Sequence, residues 1–310
     1  MHIIKPYHVK MWLPAVLLLT AIACNSQPKS KREHQLNWQR YNLKGKVKSI
    51  TEFNYKEYVH ESQLTSVEAK VNMVFDKAGN LVDQTVYLRQ ERFASHNTYK
   101  NDGAGNCTEM NDWQEDGSLD RKYFYQYDGA GNRINEKRFD GKGKLRSHET
   151  YTYDAYGNQL EWKKIGKSFS QNIKYKYTYD TLHRVIAADI ADQITKDITT
   201  TQRILVKRYG DTVEQQFTSH LTQWQTVVAV DKNSRMIYHK AVGDPPGGRM
   251  ELAYQYDSHG NCIAVDVIAG PEKPRRYEYV YDTKGSWVKR TITAPDGTPI
   301  ASVERKIEYY

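Results

Sequence analysis

The sequence predicts an all-β protein: a long antiparallel meander of repeats about 26 residues long, two strands to each, curled into a shell or a partly closed barrel. Three observations lead there. A turn of the form Tyr-Asp-x-x-Gly-Asn recurs in phase along the chain. Before each turn, aromatic residues alternate with polar ones, which is the period of a strand with one buried face. Proline is absent between residues 29 and 244, as expected of a sheet in which nearly every strand is paired on both sides. The 310 residues include 24 Tyr, so a mean hydropathy of −0.79 understates the core this chain can build. An aromatic content of 12% argues against disorder. No stretch reaches the ~20 apolar residues of a spanning helix, which excludes a polytopic helical membrane protein.

At the N-terminus, Lys5 and Lys10 precede a 13-residue apolar run, residues 11–23. This is the pattern of an export signal, and it is too short for a stable spanning helix. The run ends in Ala21-Ile22-Ala23-Cys24, which resembles the lipobox of bacterial lipoproteins. That resemblance implies cleavage before Cys24 and lipidation of Cys24. The residues alone also fit a secretory signal cut at the same place, or an uncleaved anchor. Residues 1–23 are assigned to the signal, 24–40 to a polar, flexible tether, and 41–310 to the sheet.

The repeat follows. Tyr127-Asp128-Gly129-Ala130-Gly131-Asn132 returns as Tyr153-Asp154-Ala155-Tyr156-Gly157-Asn158 and as Tyr256-Asp257-Ser258-His259-Gly260-Asn261. Asp76, Asp102, Asp128, Asp154 and Asp180 are each 26 residues apart, and so are Asp231 and Asp257. A second turn signal, such as Asp116-Gly117 or Asp140-Gly141, sits between copies. In the strand before Asp180, Ile173, Tyr175, Tyr177 and Tyr179 alternate with Lys174, Lys176 and Thr178. An apolar residue tends to fall two past the Asn: Val82, Ile134, Leu160 and Ile263.

A four-residue hairpin loop is expected, because it sets Tyr127 opposite Asn132 and Tyr125 opposite Ile134, with Tyr and aliphatic residues on one face. In this reading Asp128, Asp154 and Asp257 bond the turn backbone, with Asn132, Asn158 and Asn261 closing it. Gly131, Gly157 and Gly260 take positive φ. At ~13 residues per strand and turn, the chain has room for roughly 20 strands, and an open sheet rarely exceeds ~10 without curling. A membrane-spanning barrel is not expected, since one face is rich in Lys, Thr, Gln and Glu.

The recurring Tyr-Asp-x-x-Gly-Asn unit resembles the YD repeat of the RHS family over residues 71–310. Proteins of that family build β-sheet shells around a toxin. The resemblance therefore implies a repeat sheet, an envelope location and glycan binding. This chain is shorter than a full RHS shell. Its Asp244-Pro245-Pro246-Gly247-Gly248, similar to the Asp-Pro-x-Gly of RHS core ends, is followed by further repeats. Autoproteolysis and toxin storage are not carried over.

No His-Glu-x-x-His, Gly-x-Ser-x-Gly or phosphate-loop motif occurs. One acid and one amide per turn fall short of the six to eight oxygens calcium needs, so no metal or other cofactor is expected. Cys107 and Cys262 lie 155 residues apart, too far to pair in an open sheet, and are expected to be free thiols. The formal charge of +8 is spread along the chain, and an exported protein is not expected to meet nucleic acid. The Tyr ladder carries two open readings. It packs a half-buried sheet, or Tyr127, Tyr153, Tyr177, Tyr179, Tyr256 and Tyr281 stack on sugar rings.

The functional expectation is a non-enzymatic envelope lipoprotein acting as a binding or scaffold module for a glycan or an envelope protein. The absence of acid in Asn25-Ser26-Gln27-Pro28-Lys29 points to the outer membrane and a periplasm-facing orientation. A glycan hydrolase and an immunity-type protein against a toxin are the alternatives. Paired carboxylates on neighbouring strands would favour the hydrolase.

Overall fold

The computed structural model describes residues 36–56, 66–167, 169–194, 198–219, 223–233, 235–243 and 249–310. Cys24, the signal segment and residues 244–248 lie outside the described residues. The strands are β1 (Val47–Lys56), β2 (Ser66–Phe75), β3 (Leu81–Leu88), β4 (Arg92–Asn101), β5 (Cys107–Trp113), β6 (Leu119–Tyr127), β7 (Arg133–Asp140), β8 (Leu145–Tyr153), β9 (Gln159–Gly166) and β10 (Ser170–Tyr179). They continue as β11 (Val185–Ile194), β12 (Ile198–Tyr209), β13 (Thr212–Ser219), β14 (Gln223–Val230), β15 (Met236–Gly243), β16 (Met250–Tyr256), β17 (Cys262–Ala269), β18 (Arg275–Tyr281), β19 (Trp287–Thr293) and β20 (Pro299–Tyr309).

Each strand pairs antiparallel with its neighbours in sequence, and β1 also pairs with β20. The sheet is a closed 20-stranded barrel. At the closing seam Ile50 faces Ile307, and Arg305 Nε lies 2.9 Å from Glu52 Oε2. Closure satisfies the backbone groups that a terminal edge strand would leave unpaired. Twenty strands spaced ~4.8 Å and tilted ~40° make a round barrel roughly 40 Å across, wider than side chains can fill. The apolar clusters fit that width, because each is built along one stretch of wall. Ile173, Val185, Ala188, Ile190, Ile204, Val206 and Val213 form one on β10–β13. Ile50, Met73, Phe75 and Leu81 form the other on β1–β3, with Leu43 against them.

Alternation along each strand separates two faces. The buried residues above and the Tyr ladder share the inner face. The outer face carries Lys174, Lys176, Asp189, Arg203, Glu278, Lys289, Glu304 and Glu308, with the Lys174 and Glu308 side chains 65% and 68% exposed. Val74, Phe124, Ile165, Leu205, Val242 and Val280 stand exposed among these charges, so the outer face is mixed and not the continuous apolar band a lipid-facing barrel presents.

With two strands per repeat, the turns at Asp76, Asp102, Asp128, Asp154, Asp180, Asp231, Asp257 and Asp282 fall on the same end of the barrel, the turn rim; the other end, where the Asp140 turn joins β7 to β8, is the far rim. Residues 36–46 pack at the turn rim. Trp38 N–H donates to Gly79 O at 3.0 Å and its indole to Val47 O at 2.8 Å. A Cβ on Gly79, whose φ is +94°, would lie 2.7 Å from the Trp38 ring. Lys44 N–H donates to Ser286 Oγ, and Asn42 Nδ2 donates to Asn261 Oδ1. The tether was expected to run to residue 40, yet Leu36 to Arg40 already belong to the barrel.

The turn corrects a second expectation. Asp128 N–H donates to Asn132 O (2.9 Å), Gly131 N–H donates to Asp128 O (3.0 Å), and Gly131 has φ +84°. This is a three-residue loop with a glycine bulge, not a four-residue loop. The Asp side chain decides it: Asp128 Oδ1 accepts N–H groups from Ala130 and Asn132, which holds Asn132 opposite Asp128. A further bulge follows, so Tyr127 faces Arg133 while Gln126 faces Asn135. Tyr125 therefore meets Glu136 rather than Ile134. Ile134 and Leu160 occupy bulge positions and are each 37% exposed.

Candidate functional site

The Tyr and Asp of the repeat are joined by a tie between successive units. Tyr127 OH donates to Cys107 O, Tyr153 OH to Arg133 O, and Tyr256 OH to Met236 O, each at 2.8 Å. Each accepting carbonyl belongs to the first strand residue after the preceding turn. In two units the Tyr two residues earlier takes that carbonyl: Tyr177 OH donates to Gln159 O and Tyr279 OH to Cys262 O. The Tyr beside the Asp then reaches the previous turn's carboxylate, Tyr179 to Asp154 and Tyr281 to Asp257. Asn132, Asn158 and Asn261 donate Nδ2 to the second oxygen of their own turn Asp. Arg184 and Arg235 replace Asn in two turns and donate Nε to the same oxygen at 2.7 Å. Asp128 and Asp257 are held below the usual carboxylate range; burial pushes them up, but the turn's N–H and Asn donors, and for Asp257 the Tyr281 hydroxyl, outweigh it.

Tyr127, Tyr153, Tyr177, Tyr179, Tyr256 and Tyr281 all lie on the inner face and are half-buried. They do not converge on one point, since they occupy β6, β8, β10, β16 and β18. Parallel ring pairs run along single strands instead, Tyr123 with Tyr125 at 6.4 Å and Tyr175 with Tyr177 at 6.2 Å.

A connected polar grouping on that wall spans β6–β9. Glu136 on β7 faces Glu149 on β8, and Glu149 faces Lys164 on β9. Lys164 Nζ is 2.6 Å from Glu149 Oε1, while Tyr151 OH and Trp162 Nε1 each donate to Oε2 at 2.9 Å. Arg133 is 3.0 Å from Glu136 and lies over the Tyr151 ring at 5.0 Å. Burial raises the Glu149 pKa, but Lys164, Trp162 and Tyr151 overcome it and hold the carboxyl low. Burial dominates at Glu136 and pushes its carboxyl up, against the pull of Arg133.

Arg133, Glu136, Glu149 and Trp162 were not singled out from sequence. Glu149 was reachable, being two residues before Tyr151 and four before Tyr153, on the same parity. Glu136 was not, because its face depends on the bulge after Asn132. Cys107 and Cys262 are free thiols, each directed at a carbonyl two residues on. Burial pushes Cys107 up to about 11.

No family model and no curated protein matches this sequence. Among solved structures the chain is similar to a porin-like protein from Bacteroides uniformis, at 10% identity and a TM-score of 0.35, over 84% of this chain and 98% of that one. It is also similar to a chain of the TcdB2-TccC3-Cdc42 structure, at 14% identity and a TM-score of 0.35, over 81% of this chain and 16% of that one. A TcdB2-TccC3 structure without its hypervariable C-terminal region matches at 9% identity and a TM-score of 0.17, over 80% of this chain and 18% of that one.

Proposed function

We propose that the chain is a non-enzymatic binding protein of the cell envelope, held to a membrane through Cys24, whose barrel takes up an oligosaccharide along its inner wall. The inner wall carries this reading. A sugar offers an apolar C–H face and a rim of hydroxyls, and it needs aromatic surface for one and charged or amide groups for the other. Here Tyr and Trp rings alternate with Arg133, Glu136, Glu149 and Lys164 across adjacent strands. The Tyr hydroxyls are already bonded to backbone carbonyls or to carboxylates of the wall, so the rings lose little freedom when a ligand stacks on them.

The mixed outer face, with no continuous apolar band, suits a barrel standing in water beside its membrane. The chain enters at the turn rim, so an anchor at Cys24 turns that rim toward the membrane and the far rim away. Membership of the RHS family, the outer membrane and the periplasmic side belong to the same proposal. A glycan array probed with the full chain tests the binding: saturable binding of a glycan class supports it, and binding to none refutes it. Loss of labelled fatty acid in Cys24→Ser tests the anchor.

One observation favours a glycan hydrolase as a second reading. Glu136 and Glu149 face each other, and their surroundings push the two carboxyls in opposite directions, as an acid–base pair requires. Both Glu149 oxygens, however, are already engaged within the wall. Recovery of the bound glycan intact after long incubation would refute the hydrolase.

A further inference from the structure

We propose that the inner wall near the far rim holds a subsite for an oxyanion on a sugar, a carboxylate or a sulfate, centred on Arg138. This rests on the glycan-binding reading and names the class of glycan. Arg138 on β7 faces Tyr123 on one side and Ser147 on the other, and Ser147 faces Gly166. Ser147 is a small residue in a row of large ones and leaves room, while the space over Gly166 is taken by the Phe169 ring. A hollow of about 360 Å³ opens there, lined by four cations, Arg121, Arg138, Arg146 and Lys164, by two carboxylates, Asp120 and Asp140, and by Ser147 and Phe169. The Tyr123 ring lies 5.8 Å from the Arg138 guanidinium. Phe169 closes the other side by packing on Gly166, where a Cβ would come within 2.4 Å of its ring.

The cations of this hollow are not equivalent. Arg121 pairs with Asp120 at 3.0 Å and Asp112 at 3.7 Å. Arg146 pairs with Asp140 at 2.5 Å, and Lys164 with Glu149 at 2.6 Å. The nearby acids are thereby committed, and Glu136 is held by Arg133. Arg138 has no carboxylate within 4 Å among the described residues, and its buried Nε has no hydrogen-bond partner. Arg138 is half-buried and feels Glu136 and Asp112 only at a distance, so its guanidinium enters no close ion pair and can take an added anion. A guanidinium presents a flat fork of donors that matches the two oxygens of a carboxylate or sulfate. The Phe169 ring in the lining suits the sugar that carries the group.

Calorimetric titration of the full chain with three galactose-based oligosaccharides tests this: oligogalacturonate, a sulfated oligogalactan and neutral oligogalactose. One or both acidic ligands should bind roughly tenfold tighter than the neutral one, the worth of a charge-assisted contact, and which does so identifies the oxyanion. Arg138→Gln should abolish that preference. Ser147→Glu, which supplies a carboxylate opposite Arg138, should abolish the preference with Arg138 still present. Equal affinity for all three ligands, or an unchanged preference in both variants, overturns the subsite and leaves glycan binding standing. No oligosaccharide binding, with sulfate ion alone raising Tm in wild type but not in Arg138→Gln, overturns glycan binding and keeps the subsite. No response to any of the four overturns both.

Discussion

Tyr177 tests whether the ladder is a packed wall. Its ring stacks parallel on Tyr175, lies opposite the small Ala188, and packs against the cluster of Ile173, Val185 and Ile204. Its hydroxyl donates to Gln159 O at 2.9 Å. A large aromatic side chain buries 150–250 Å² in full, so a half-buried Tyr removes about 100 Å² from water, worth about 2.5 kcal/mol. The hydrogen bond adds about 1 kcal/mol. Tyr177→Ala should therefore cost about 3–4 kcal/mol, and Tyr177→Phe, which loses only the tie, about 1 kcal/mol. Tyr209, 61% exposed on the turn rim, supplies the control, and Tyr209→Ala should cost under about 0.5 kcal/mol. Urea unfolding followed by far-UV circular dichroism gives all three values. A Tyr177→Ala loss below about 1 kcal/mol, or a Phe variant as damaged as the Ala variant, would refute the packed wall and the inter-unit tie.

Three further predictions concern the turn, a half-buried histidine and the Cys107 thiol. Gly131→Val should cost well over 1 kcal/mol, because Gly131 has φ +84°, while the neighbouring exposed Ala130→Val should cost little; equal losses would contradict the bulged loop. His239 faces Val228 and Leu252 on the inner wall, and burial lowers its pKa, so the unfolded chain binds that proton more readily. Stability should then be full above about pH 6.5 and fall as pH drops below it, and His239→Gln should flatten that limb of a pH series of urea midpoints. Cys107, buried and with its thiol pushed up to about 11, should resist a thiol-labelling reagent at pH 8 until the barrel is unfolded; prompt labelling of the native chain would contradict its burial.

The site was less legible than the fold. The Tyr positions could be placed on a common face because Ile173, Tyr175, Tyr177 and Tyr179 alternate within one uninterrupted strand. The groups between them could not all be placed. The hairpins at Asp76, Asp102, Asp128, Asp154, Asp257 and Asp282 carry a glycine bulge and a second bulge just after it, and each bulge shifts every later residue relative to its partner strand. Reading the turn as a four-residue loop therefore set Ile134 opposite Tyr125, where Glu136 stands. A charged residue was hidden behind an aliphatic one by a register difference that consecutive residues do not announce.

Turn positions, the count of about twenty strands and the all-β class follow from residues close together in the chain. Positive φ at a glycine, an Asx contact across four residues and period-two alternation are local physics, and a phased repeat copies them around the whole barrel. Closure, the meeting of Glu136 with Glu149 and the isolation of Arg138 arise only in the assembled sheet. They depend on register across bulges and on partners far apart in sequence, such as Glu52 and Arg305, 253 residues from each other at the seam. Hydrogen bonding between β1 and β20 leaves no unpaired edge, and that gain exists only once the other eighteen strands have curved the sheet far enough for its ends to meet.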